Sequence, residues 1–135
     1  MATILAHITV KQGMAQRFEE LAAELYTQTH RDEPSVRRYE YWRGAQENTY
    51  YSLLSFDTYN DFLTHQTSDH HEVASPQLGE VIAAITLEWV DPLQHASPLT
   101  STDAQELRGD ATELERRYSK RFRAQVAQWW IARRG

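Results

Sequence analysis

What most constrains this chain is the point at which its apolar spacing changes period. In TILAHITV (3–10), Ile4, Ala6, Ile8 and Val10 alternate with Thr3, Leu5, His7 and Thr9, the pattern of a strand with one covered face. Lys11-Gln12-Gly13 interrupts it. From Met14 the step becomes three or four, and Met14, Phe18, Leu21, Ala22 and Leu25 form one stripe of a helix reaching about Thr29. Asp32-Glu33-Pro34 predicts a turn. VRRYEYWR (36–43) and TYYSLLSF (49–56) read as antiparallel strands around the hairpin loop GAQEN (44–48). Asp57 or Thr58 can cap a short helix marked by Tyr59, Phe62, Leu63 and Gln66, with His65 near its end. DHHEVASPQLGE (69–80) reads as a polar, proline-broken stretch, and VIAAITLEWV (81–90) as a buried strand stopped by Asp91-Pro92.

The order is therefore βαββαβ, which predicts an α+β, ferredoxin-like antiparallel sheet with two helices on one face. The other face must still be covered. A second copy of the chain is the simplest cover, so a homodimer is expected, through strand residues such as Leu53 and Ile85 or their neighbours of opposite parity.

Composition limits what else the chain can be. With 135 residues, 41% of them apolar, there is material for one core and an appendage. The chain has no cysteine, which removes disulfides, thiolate metal sites and cysteine nucleophiles. The N-terminal segment lacks a basic region followed by a long apolar run, and no stretch approaches membrane-spanning length; a soluble, cytoplasmic protein is expected. Residues 1–100 hold six Lys/Arg against fourteen Asp/Glu, whereas residues 101–135 hold eight against five. An acidic body argues against nucleic acid as a partner.

The domain boundary falls near residue 96. SPLTST (97–102) reads as a linker, and Leu107, Ala111, Leu114, Tyr118, Phe122, Val126 and Trp129 step by three and four along one continuous helix over about 110–132, with Gly109 weakening its start. This amphipathic tail is expected to pack on its own dimer, with Tyr118, Phe122 and Trp129 buried, rather than on a membrane.

The chemistry-bearing stretch is THQTSDHH (64–71). His65, Asp69, His70 and His71 are possible metal ligands by type, but their spacing is not the i, i+4 pair of a helical zinc motif. His65 can equally be a general base or a histidine interacting with a helix end. His70 and His71 fall beyond the predicted helix and read as loop residues.

Together, EPSVRRYEYWR, NTYYSLLSF and HQTSDHH on this frame resemble the antibiotic biosynthesis monooxygenase family, including quinol monooxygenases, over residues 2–95. Glu33, Pro34, Tyr39, His65, Ser68 and His70 occupy the places of the family's Glu-Pro-Gly, Tyr and His-x-x-Ser-x-His. Ser35 stands where the family has Gly, and Leu54 and Phe56 stand where its third strand has Glu and Trp. The haem-degrading branch of the superfamily is not matched, since its positions hold Ala6, His65 and Ser75.

The resemblance implies two sheets packed into a dimeric α/β barrel, with a pocket in each subunit for a phenolic, quinol or anthrone-type substrate. It implies oxidation by O2 without metal, flavin or haem. His65 is then the catalytic base, and Tyr39, Trp42, Tyr51, Ser68 and His70 contact the substrate. The other reading is an isomerase, cyclase or ligand-binding protein on the same frame.

Overall fold

The computed structural model describes residues 1–134. Strand β1 (Ala2–Val10) leads into helix α1 (Ala15–Asp32), then the hairpin β2 (Val36–Arg43) and β3 (Thr49–Phe56). Helices α2 (Tyr59–Gln66) and α3 (Asp69–Val81) follow, and β4 (Ile82–Trp89) completes the sheet. The order across the sheet is β2-β3-β1-β4, with every neighbouring pair antiparallel. This is the ferredoxin-like α+β architecture.

Register converts the period-2 pattern into two different faces. Ile4 lies opposite Leu54 and Trp89, and Ala6 opposite Ser52 and Leu87, so their side chains share the face toward the helices. Phe18, Leu21 and Leu25 of α1 and Phe62 and Leu63 of α2 close onto that face, and all five are buried. Burial of side chains this size contributes roughly 1.5–3 kcal/mol each, which makes this the stabilising layer. The outward face carries Leu5, Trp42, Tyr51 and Leu53, with a His7–Glu88 contact of 3.0 Å at its β1–β4 side. Ile85, opposite Ile8, has the inward parity but stays exposed on the edge strand.

Residues 69–80 are not the broken polar stretch expected from their composition. Ser68 caps α3, its Oγ accepting from the His71 backbone N–H at 3.3 Å, while Asp69 and Glu72 place acidic groups in the positive first turn. Pro76 lies inside the helix and removes one donor. Packing along α1, with Ala74 and Val81 buried, outweighs that loss.

The tail is not one continuous helix. Thr112 and Glu115 form a reciprocal capping box that starts α4 (Glu113–Arg121), and an extended segment then leads to α5 (Gln128–Arg133). The break has a packing cause, since Phe122 leaves the helix to meet Phe62 edge-on at 6.0 Å. Beyond it the chain reaches His7, Thr86 and Glu88 on the outward face through Trp130. Trp129, which the stripe placed inward, is 68% exposed; Trp130 packs instead. The linker is docked as well: Thr102 is fully buried, its Oγ1 accepting from the Thr3 N–H at 3.1 Å and donating to the Val90 carbonyl at 2.7 Å. No helix of the described residues is long and apolar enough to cross a membrane.

Candidate active site

A cavity of about 730 Å³ lies between the inward sheet face, helices α1–α3 and the C-terminal end of α4. Its floor is apolar and aromatic, formed by Ala6, Ile8, Leu54, Tyr39 and Tyr41. His65 and His71 stand in its wall.

The polar arrangement begins at a helix end. The backbone N–H of Glu33 donates to the Thr29 carbonyl at 2.9 Å as the C-cap of α1, and its side chain turns under α2. There both carboxyl oxygens lie 3.0 Å from His65 Nδ1, and Oε1 lies 2.8 Å from His70 Nε2. A carboxylate only accepts, so both ring nitrogens are assigned as donors. A neutral His65 then has a bare Nε2. That atom is buried without a hydrogen-bond partner, as are His71 Nδ1 and Ser52 Oγ, and all three residues line the cavity. Three unsatisfied polar atoms around one apolar space are what a ligand with polar substituents would complete.

Burial sets the charge states. His65 is fully buried, and desolvation, helped by the nearby His70, pushes its imidazole down to about 3. His71 is pushed down to about 3 for the same first reason, with the neighbouring His65 adding to it. Desolvation raises the Glu33 carboxyl to about 7 against the opposing pull of His70. Tyr39 and Tyr41 share a 2.9 Å hydroxyl contact; burial raises Tyr39 and takes Tyr41 up to about 12, so both phenols stay neutral. The Tyr39 ring packs edge-on against His65 at 4.8 Å and Phe56 lies 5.1 Å away, which holds the imidazole plane.

Of the residues singled out in the sequence, His65 and Tyr39 come together in the cavity. His70 stands behind His65, joined to it through Glu33. Ser68 caps α3 and donates its hydroxyl to the His65 carbonyl at 2.7 Å, so it positions the backbone and does not line the cavity. Trp42 and Tyr51 lie on the opposite face: Trp42 is 60% exposed and donates to Glu40, and Tyr51 packs edge-on against His7. Strand parity contained that separation, since Tyr39 and Trp42 are three residues apart. The same parity points to Tyr41 and Ser52, which sequence reasoning passed over. His71 lies not in a loop but in the first turn of α3, which the Ser68 cap starts, and its ring meets His65 at 4.9 Å.

Glu33, His65 and His70 also bring three potential metal-ligand atoms within 4.8 Å of one another. This is a different set from the histidine cluster of residues 65–71, because it includes Glu33 from the end of α1. The same atoms form a hydrogen-bond network in which Glu33 orients both imidazole rings.

The fold corresponds to a known class. A family model described as antibiotic biosynthesis monooxygenase matches residues 1–77, and the chain belongs to that family. Among solved structures, a candidate antibiotic biosynthesis monooxygenase from Caulobacter crescentus superposes with a TM-score of 0.65 at 22% identity, covering 68% of this chain and 89% of its own. PA3566 from Pseudomonas aeruginosa gives 0.63 at 18% identity, covering 68% and 93%, and Rv0793 from Mycobacterium tuberculosis gives 0.64 at 20%, covering 71% and 98%. These likenesses establish the fold. No curated protein matches the chain.

Proposed function

We propose that the cavity binds a small phenolic, quinol or anthrone-type substrate and that His65 deprotonates it for direct oxidation by O2. The observation that carries this reading is the bare, buried Nε2 of His65, with Nδ1 fixed on Glu33 at 3.0 Å. Burial keeps this imidazole unprotonated but also weakens it as a base, so its taking a proton depends on the ionised Glu33 beside it. Once protonated, it stands against the Glu33 carboxylate, which stabilises the transient charge in a site with few other charges. His71 Nδ1 and Ser52 Oγ are placed to bind the developing oxyanion and its neighbouring oxygen, the hydroxyl of Ser52 as donor. Tyr39 and Tyr41 present an aromatic wall.

The protein's part is then removal of one proton, orientation and exclusion of water. The electrons come from the substrate. For an anthrone-type CH2, one O2 supplies the new carbonyl oxygen and leaves as one water, the hydrogen and electrons coming from the CH2. Metal and flavin have no step in this scheme. The outward sheet face with Leu5, Leu53, Trp42 and Tyr51 supports a homodimer as the working unit, and the reading places it in the cytoplasm.

The test is oxygen uptake with 1,8-dihydroxyanthrone and a series of naphthols and quinols. The reading expects substrate-dependent uptake that falls by about 10²–10⁴ in His65→Ala. Tight binding of these compounds without oxygen uptake would favour the isomerase, cyclase or ligand-binding use of the cavity.

A further inference from the structure

The cavity is finished by a part of the chain outside the family match. Tyr118, Arg121 and Phe122, at the C-terminal end of α4, form part of its lining. The Tyr118 hydroxyl donates to Glu72 of α3 at 2.5 Å and the Tyr59 hydroxyl donates to the Phe122 carbonyl at 2.7 Å, so this end of α4 is tied down on both sides.

Arg121 is the one permanently charged residue among those lining the cavity; no Asp, Glu or Lys joins it. Arg37, Arg43, Arg108 and Arg134 are each paired with carboxylates, whereas Arg121 has no ion pair and no side-chain hydrogen bond among the described residues. Its guanidinium lies over the Phe122 ring at 4.9 Å, which limits its freedom while leaving its donors open. Lys120 and Arg123 line an adjoining depression with it, so positive charge gathers at this mouth of an otherwise acidic body.

We propose that Arg121 selects an aromatic ligand bearing a carboxylate in addition to the hydroxyl that meets His65. This deepens the substrate reading above and rests on it. An open guanidinium fork beside an apolar, aromatic space matches a planar carboxylate on a ring, which it can hold through two parallel N–H···O bonds. The appended tail thereby acts as a specificity element for a site that the family frame supplies.

The experiment compares 1-hydroxy-2-naphthoate with 1-naphthol, two probes differing by the carboxylate, by calorimetric titration of the full chain at neutral pH. Wild type is expected to bind the carboxylate probe roughly tenfold more tightly, the preference weakening with added salt. Arg121→Gln should erase the preference, bringing the affinity for 1-hydroxy-2-naphthoate down to that for 1-naphthol. Arg117→Gln, an exposed arginine of α4 outside the lining, should keep it. Ala83→Trp, an exposed lining position, should block both probes, which ties binding to this cavity. Equal affinities in wild type, an undiminished preference in Arg121→Gln, or probe binding that survives Ala83→Trp would overturn the inference. If 1-naphthol binds with no role for Arg121, the inference fails alone; if neither probe binds wild type at millimolar concentration, the substrate reading fails with it.

Discussion

Replacing His65 by Gln tests whether the buried imidazole is neutral, the condition on which its role as a base depends. In the folded chain desolvation holds its pKa near 3, against about 6.5 for a histidine in the unfolded chain. A depressed pKa means that stability is fully present above 6.5 and is lost as pH falls toward 3, because only the unfolded state takes up the proton. Between pH 7 and pH 5 that uptake amounts to about 2 kcal/mol. The figure does not depend on the folded value so long as it lies well below 5. Glu33 works in the other direction over the same window. Its carboxyl is raised to about 7, so its stabilising contribution is full below its unfolded value and is lost as pH rises through 7. Comparing variants cancels that contribution, since glutamine keeps an N–H donor for Glu33. Urea unfolding followed by tryptophan fluorescence at pH 5, 6 and 7 should show His65→Gln losing about 2 kcal/mol less than wild type between pH 7 and 5. An equal loss in the two proteins would refute the depressed imidazole, and a greater loss in His65→Gln than in wild type would establish a protonated His65 paired with Glu33.

The acidic limb of kcat/KM should lie near 7 and follow Glu33, whose ionised form stabilises the protonated base; Glu33→Gln should flatten that limb in a pH–rate profile. Removing residues 103–135 strips the Phe122 contact from Phe62 and the tail bond from Tyr59, so melting followed by circular dichroism should fall by at least about 4–8 °C, the shift expected of a 1 kcal/mol loss; an unchanged melting temperature would show that the tail adds no stability. Light scattering should give twice the 15.7 kDa chain mass, and a one-chain mass at micromolar concentration would remove the sheet-face dimer. EDTA should leave oxygen uptake unchanged, whereas loss of uptake that added zinc or iron restores would assign the Glu33, His65 and His70 cluster to a metal.

The sequence by itself determined the order of the four strands, the helices α1 and α2, and the face of each strand, because periods of two and of three to four are imposed by backbone geometry and appear in any chain that buries one side. Ile4, Ala6 and Ile8 could face only one way once Phe18, Leu21 and Leu25 had to meet them. The same parity already assigned Tyr41 and Ser52 to the cavity side and Trp42 to the other. Tertiary structure decided what sits beside what across long separations. Glu33 and His65 are 32 residues apart, and their contact exists because the end of α1 and the end of α2 descend on the same corner of the sheet. No local pattern encodes that distance. The tail shows the limit from the opposite side: its stripe from Leu107 to Trp129 specified an uninterrupted helix, yet α4 ends at Arg121 and the next helix starts only at Gln128. Phe122 leaves the helix and packs on Phe62, with Arg121 at the mouth of the cavity.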